Sequence, residues 1–204
     1  MNADITSRPS PGQAPPRWQH RRFTIQEKVL TLGRQLRVLT SDGTMVGFAR
    51  QKMFKLREDI RVYADESQQQ EVLLLRATKV LEFNANFEVV DPTTQEHLGF
   101  IRRKGWSSFV RDKWEFTDIK GNVYAALEED SVGMALVRRF LLSFIPTKYH
   151  VRPAGDPNAR SVEIKERFQF YGDTYDVTIH QPLLDPRVAV AMAVLLDVLG
   201  EAKE

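Results

Sequence analysis

The chain has 204 residues, of which 42% are apolar and 27% are charged, and its formal net charge at pH 7 is +2. This apolar share is sufficient to bury the core of one large domain or two small ones. The chain contains no cysteine, which excludes disulfide scaffolds, thiolate metal sites and a cysteine nucleophile, and favours a reducing compartment.

The excess positive charge lies at the N-terminus. Residues 1–22 contain four arginines and one aspartate, a net charge of +3, whereas the rest of the chain has a net charge of −1. This segment is rich in proline, and its one large apolar side chain is Trp18. Such a composition buries too little apolar surface to offset the entropy lost on ordering. We therefore predict a disordered arm over residues 1–22 and one folded domain over residues 23–204.

Membrane-crossing and secretory segments are not expected. The arm has no apolar run of the kind found in a secretory signal. The longest uninterrupted apolar stretch runs from Val188 to Leu196, which is far shorter than the roughly 20 residues needed to span a bilayer. The sequence therefore predicts a soluble protein of the cytoplasm.

Short alternating segments separated by turn residues fill the chain from Phe23 to Asp130. Asp42-Gly43 lies between two such segments and predicts a hairpin, because the turn requires positive φ angles. Similar turn residues recur near Asp65, Asp91 and Asp118.

Apolar positions within these segments recur at spacings of 24, 27 and 27 residues, at Val38, Val62, Val89 and Phe116. This regularity predicts an internal repeat of roughly three strands. Further strands are expected between Tyr149 and Ile179, so the chain should contain twelve strands. That number indicates a mainly β domain, either a barrel or a sandwich.

Two helices are expected. Ser131 to Ile145 has the apolar spacing of an amphipathic helix. At the C-terminus, Asp185 suits an N-cap, Pro186 the first helical position and Gly200 the end. The residues between are apolar on every face, so this helix must be buried on every face. Its length of about 21 Å suits a helix that threads a small barrel.

The sequence resembles the LURP-one-related proteins. The resemblance rests on repeating β units with basic strand edges, on the segment Arg167-Phe-Gln-Phe-Tyr-Gly-Asp-Thr-Tyr-Asp-Val177, and on an apolar helix that ends in Leu-Leu-Asp197. It covers about residues 23–200. These proteins belong with the phospholipid scramblases in the tubby C-terminal-like superfamily.

The resemblance implies a twelve-stranded closed barrel around a buried C-terminal helix. It also implies binding of anionic lipid headgroups, since tubby domains bind phosphoinositides. Scramblases have an acidic candidate calcium segment before the last helix, but this chain offers only Asp173, Asp176 and Asp185. We therefore expect no metal and no cofactor.

Two basic groups are candidates for contact with lipid phosphates. The arm provides Arg17, Trp18, Arg21 and Arg22, and a later cluster provides Arg102, Arg103, Lys104, Arg111 and Lys113 around Trp106. An indole among cations is typical of a membrane interface. The alternative for the arm is a solvated tail, and for the cluster it is a solvated hairpin end with Trp106 in the core. The same two interpretations apply to Arg50, Lys52, Lys55 and Arg57, and to Arg138-Arg139.

No catalytic motif is present in the sequence, and the four histidines lack metal-ligand spacing. We therefore predict a non-enzymatic binding module for anionic membrane phospholipid headgroups, peripheral at the membrane. The alternative is a scaffold of tubby-like fold for a protein or nucleic acid partner. The net charge of −1 on the body disfavours nucleic acid, which requires a basic groove across the domain.

Overall fold

A computed structural model describes residues 14–30, 33–51, 59–81, 84–104, 113–129, 147–156, 158–167 and 172–200. Twelve strands and one α-helix lie in these ranges. The strands are β1 (Arg22–Leu30), β2 (Gly33–Thr40), β3 (Met45–Gln51), β4 (Ile60–Tyr63), β5 (Glu71–Leu81), β6 (Asn84–Asp91), β7 (Glu96–Lys104), β8 (Lys113–Thr117), β9 (Val123–Glu129), β10 (Lys148–Pro153), β11 (Val162–Arg167) and β12 (Thr174–Ile179), and the helix is α1 (Pro186–Gly200).

The strands form one closed antiparallel barrel. Each strand pairs with the next along the chain, and β1 closes the ring by pairing with β12. Ile25 illustrates the closure, because it lies opposite Tyr175 on β12 and opposite Val38 on β2. The barrel, its strand count and its buried helix are therefore confirmed. The second predicted helix, over residues 131–145, lies outside the described residues.

Helix α1 lies inside the barrel, as its sequence predicts. Every side chain from Arg187 to Val198 is buried. The Asp185 carboxylate caps the helix by accepting a 2.8 Å hydrogen bond from the backbone N–H of Arg187. Small alanine side chains alternate with larger apolar ones, which allows the helix to fit among the inward-facing residues of the strands.

The internal repeat is one hairpin long rather than roughly three strands. Its four marker positions lie on alternate strands, all with buried side chains, and each is followed at once by a shift in strand register: Val38 on β2, Val62 on β4, Val89 on β6 and Phe116 on β8. Such a bulge bends a strand and increases its twist. One such bulge occurs in each of these four hairpins. The apolar position that precedes the bulge therefore recurs in the sequence once per hairpin.

Residues 14–22 also differ from expectation, because the structure places them on the barrel instead of in a disordered arm. Pro16–Trp18 form a turn of 3-10 helix, and the Trp18 side chain is fully buried, 6.2 Å from the ring of Phe23. The indole supplies the apolar contact that the surrounding proline and arginine residues lack. The folded unit therefore includes Ala14 to Arg22, and residues 1–13 lie outside the described residues.

The two ends of the barrel are distinct. The turns of the β2–β3, β4–β5, β6–β7, β8–β9 and β10–β11 hairpins lie at one end, which we name the turn end. Residues 14–22 enter β1 at this end, and α1 starts there after β12. Within the described part of the chain, no helix combines the length and apolar character needed to cross a bilayer.

Candidate functional site

Aspartates hold the hairpin turns of the turn end in place. In each of the five turns, one carboxylate accepts a hydrogen bond of 2.8–3.1 Å from a backbone N–H two residues further along, and these residues are Asp42, Asp65, Asp91, Asp118 and Asp156. Such bonds favour the ionised carboxylate. Hydrogen bonds from Thr40 and Thr44 accordingly lower the pKa of Asp42 to about 2.

A buried ionic cluster fixes the start of α1. The Arg187 guanidinium is 0% exposed and contacts carboxylates from three segments: Asp91 at 2.7 Å, Asp185 at 2.7 Å and Glu96 at 2.9 Å. Burial alone would lower the pKa of Arg187, but hydrogen bonds and charge attraction from Asp185, Asp91 and Glu96 raise it. Burial would likewise raise the pKa of Asp91, but hydrogen bonds from Thr93 and Arg187 hold it below its usual value.

Three arginines of the arm, Arg17, Arg21 and Arg22, lie at the turn end. Arg17 is half-buried and close enough to the β4–β5 turn for its charge to contribute to the lowered pKa of Asp65, after the hydrogen bonds from Ser67. Arg21 and Arg22 are exposed. Arg21 also lines a groove of about 240 Å³ between the arm and the connection from β12 to α1. Trp18, in contrast, faces the core and is not available to a membrane.

The basic cluster on β7 is divided between two faces of the barrel wall. Ile101 is buried in the core, so its neighbour Arg102 faces outward while Arg103 shares the inner face and lies over the buried ring of Trp114 at 5.7 Å. Lys104 and Lys113 are paired across β7 and β8. Arg111 and Trp106 lie outside the described residues. Among the described side chains of this cluster, Arg102 and Arg103 therefore face opposite sides of the wall.

Arg102 instead reaches back towards the turn end. Its guanidinium lies 5.7 Å from the centroid of the Phe100 ring. A Cβ atom placed on Gly121, in the β8–β9 turn, would be only 3.5 Å from Nη2 of Arg102. This position brings Arg102 to a turn that also carries Lys120.

The structure does not bring the two candidate groups together. β1 follows the arm and β7 carries Arg102 and Arg103; the two strands are six places apart in a ring of twelve, on opposite sides of the barrel. Lys104 ends β7 and Lys113 begins β8, at the opposite end of the barrel from the turn end, whereas the guanidinium of Arg102 approaches the β8–β9 turn. Of the other candidate cations, Arg50 is exposed on β3. Those from Lys52 to Arg57 and at Arg138-Arg139 lie outside the described residues.

Several arginines of the barrel wall are ion-paired, unlike the exposed arginines of the arm. Arg50 and Arg102 on the wall form no ion pair among the described residues. Four wall arginines form ion pairs with carboxylates on other segments: Arg37 with Glu66, Arg61 with Glu71, Arg76 with Glu88, and Arg167 with Asp176. Within the described ranges, Arg21 and Arg22 form no such pair. Their charges are therefore not neutralised locally.

The aspartates considered for calcium have separate roles. Asp176 pairs with Arg167 and accepts a hydrogen bond from Thr24, whereas Asp185 pairs with Arg187. Asp173 and Asp185 lie beyond opposite ends of β12. In the part of the chain that the structure describes, no three His, Asp or Glu side chains are grouped so as to hold a metal ion.

Two features of the site were not identified from the sequence. Arg187 is the only cation in α1, and a lone cation in an otherwise apolar helix indicates a buried ion pair. Ile119 directly follows Asp118, where the equivalent turns have glycine, glutamate or proline. It is 63% exposed. The sequence contains both residues, but no local sequence pattern shows which groups Arg187 pairs with or what Ile119 would contact.

The fold defines a class of proteins in which an antiparallel barrel of twelve strands encloses its own C-terminal helix. A solved structure of a protein from Arabidopsis thaliana shares this fold with a TM-score of 0.51 at 13% sequence identity, covering 92% of this chain and 98% of that one. A comparison with curated proteins gives no match. The LURP-one-related family model matches residues 45–197. The chain therefore belongs to the LURP-one-related family.

Proposed function

We propose that this protein is a non-enzymatic binding module that docks on anionic phospholipid surfaces from the cytoplasm. One observation carries the proposal: four wall arginines are paired with carboxylates, whereas Arg21 and Arg22 project together from the turn end, exposed and without ion pairs among the described residues. Unpaired cations at one end of a rigid body give it a face that an anionic surface attracts.

The interior of the barrel supports the same assignment. Helix α1 occupies the lumen, and its side chains from Arg187 to Val198 are buried against the strands. The barrel thus uses its lumen for stability, so recognition is left to the ends and the outer wall. Membership of the LURP-one-related family and the resemblance of that family to lipid-binding tubby domains support a lipid over other anions.

Point variants test the role of the arm better than a deletion does, because removing residues 2–22 would also remove the buried Trp18. We expect R21Q/R22Q to bind anionic vesicles roughly thirtyfold more weakly, since each arginine near an anionic leaflet contributes about 1 kcal/mol. Sedimentation with vesicles of phosphatidylcholine and 30% phosphatidylserine measures the loss. The difference between variant and wild type should shrink at high salt as the charges are screened.

The matched control is R61Q/R76Q, which removes the same charge from two wall arginines that are already paired. This control should bind the anionic vesicles nearly as well as the wild type. Equal losses in both double variants would mean that net charge alone matters and that the arm is not a site. If the wild type ignores the vesicles but shifts DNA or RNA in a gel, the lipid proposal is wrong and a scaffold role replaces it.

A further inference from the structure

The tip of the β8–β9 hairpin has an unusual apolar surface. Among the described residues, the large apolar side chains that are exposed are Ile119, at 63%, and Val123, at 43%. Both belong to the hairpin whose turn spans residues 118–122. Isolated exposed apolar residues are common on proteins, but here two lie in one hairpin, in its turn and at the first residue of β9.

Turn geometry does not require isoleucine at this position. The other four turns use the same aspartate hydrogen bond, and the residue after the aspartate is Gly43, Glu66, Pro92 or Pro157, none of them a branched aliphatic residue. The aspartate bond therefore forms equally well without a branched aliphatic residue at this position. The apolar surface of the β8–β9 tip needs a separate explanation.

The tip is held rigidly in its outward position. Asp118 is buried, and its carboxylate accepts hydrogen bonds from the backbone N–H of Lys120 at 2.9 Å, the backbone N–H of Asn122 at 2.8 Å and Nδ2 of Asn122 at 2.9 Å. Two backbone bonds, from Asp118 to Asn122 and from Gly121 to Asp118, close the same turn. Ile119 is therefore fixed in the exposed position and reaches a partner surface without a cost in ordering.

Cations flank this apolar tip. Lys120 is exposed, and the guanidinium of Arg102 approaches Gly121 from the neighbouring strand. Neither residue forms an ion pair among the described residues. An apolar side chain between unpaired cations complements an anionic bilayer, in which the acyl boundary lies directly beneath the phosphates.

We propose that the β8–β9 tip is a membrane wedge: Ile119 enters the acyl boundary of an anionic leaflet while Lys120 and Arg102 contact the phosphates. This inference rests on the proposed lipid-binding function and identifies a second contact surface for it. The tip and the arm arginines both lie at the turn end. The barrel would therefore stand on the bilayer with its turn end downward.

The absence of cysteine from the sequence allows a direct test by site-specific labelling. The variant I119C, labelled with an environment-sensitive NBD fluorophore, should shift its emission to shorter wavelength on vesicles containing 30% phosphatidylserine. T94C, on the neighbouring β6–β7 turn, is the control, because Thr94 is exposed at the same end but carries no apolar group of comparable size. Its label should report a more aqueous environment.

Binding of an unlabelled variant provides the second measurement. I119S should bind these vesicles about tenfold more weakly, since the transfer of a branched apolar side chain into the acyl boundary is lost. T94S should bind like the wild type, and all variants should melt at similar temperatures. The wedge is refuted if wild type and I119S bind anionic vesicles equally well and the label at 119 stays aqueous. That result would leave the proposed function intact, whereas a wild type that fails to bind vesicles at all would refute both.

Discussion

At the scale of single residues, Arg187 is a charged side chain that is fully buried at the start of α1. A buried cation is costly to desolvate, and this one has no exposed surface. Carboxylates from the β6–β7 hairpin and from the residue before α1 surround it. Through these contacts the cluster ties the first turn of the helix to the opposite wall of the barrel.

We expect R187M to destabilise the fold by about 3–5 kcal/mol, because it leaves Asp91 buried and uncompensated. The reduction in the free energy of unfolding is measured by urea titration. R167M is the matched control, since Arg167 forms an ion pair with Asp176 on the exposed wall and should contribute less than about 1 kcal/mol.

The pH dependence of the destabilisation by R187M distinguishes the loss of charge compensation from the loss of packing. Because folding lowers the pKa of Asp91 below its ordinary value of 3.8, its contribution to stability is present above that value and is lost as pH falls through the folded pKa. In R187M, acidification neutralises the uncompensated carboxylate. The stability difference between wild type and R187M should therefore shrink as pH falls from neutral into the acidic range. A constant difference would mean that lost packing, not charge, causes the effect.

At the scale of elements, local patterns predicted most of the fold. Strand positions followed from alternation and from aspartate turns, and α1 followed from its cap and its uniformly apolar surface. The same patterns could not predict the place of Trp18, because proline and arginine dominate its neighbourhood and its contact with Phe23 is a tertiary one. Nor could they predict which arginines are paired, since β-strand partners come from other segments of the chain.

The position of α1 inside the barrel can be tested by placing a charge on the helix. A191R or V194D should prevent folding, because an unpaired buried charge costs several kcal/mol against a total stability of roughly 5–15 kcal/mol. Circular dichroism and thermal melting report the loss. V123D places the same charge on β9 at an exposed position and should cost less than about 1 kcal/mol.

If A191R and V194D simply fail to accumulate, V194A keeps the test measurable. It leaves a small cavity beside the helix and should reduce the free energy of unfolding by about 1–3 kcal/mol. Unchanged melting in all three variants would contradict the position of the helix inside the barrel.

At the scale of the whole molecule, stability and recognition occupy different parts of the barrel. The lumen is filled by α1, and the wall carries local ion pairs. The turn end combines the buried Arg187 cluster with the exposed arginines of the arm and the rigid β8–β9 tip. The ionic cluster ties this end of the barrel to the helix, so the exposed groups are displayed on a part of the molecule that is held in place.

The segment over residues 14–22 is part of this constrained end, and its anchor is Trp18. We expect W18A to lower the free energy of unfolding by about 3–5 kcal/mol, as is usual when a large buried aromatic side chain is removed. W18F should cost less than about 1.5 kcal/mol, because it keeps an aromatic ring and loses only an indole N–H that has no hydrogen-bond partner among the described residues. Urea titration measures both changes. R17A, one residue away and half-buried, controls for disturbance of the 3-10 turn and should resemble W18F. If W18A is as stable as the wild type, the segment does not belong to the folded unit, and Arg21 and Arg22 are carried by a flexible arm rather than by the barrel.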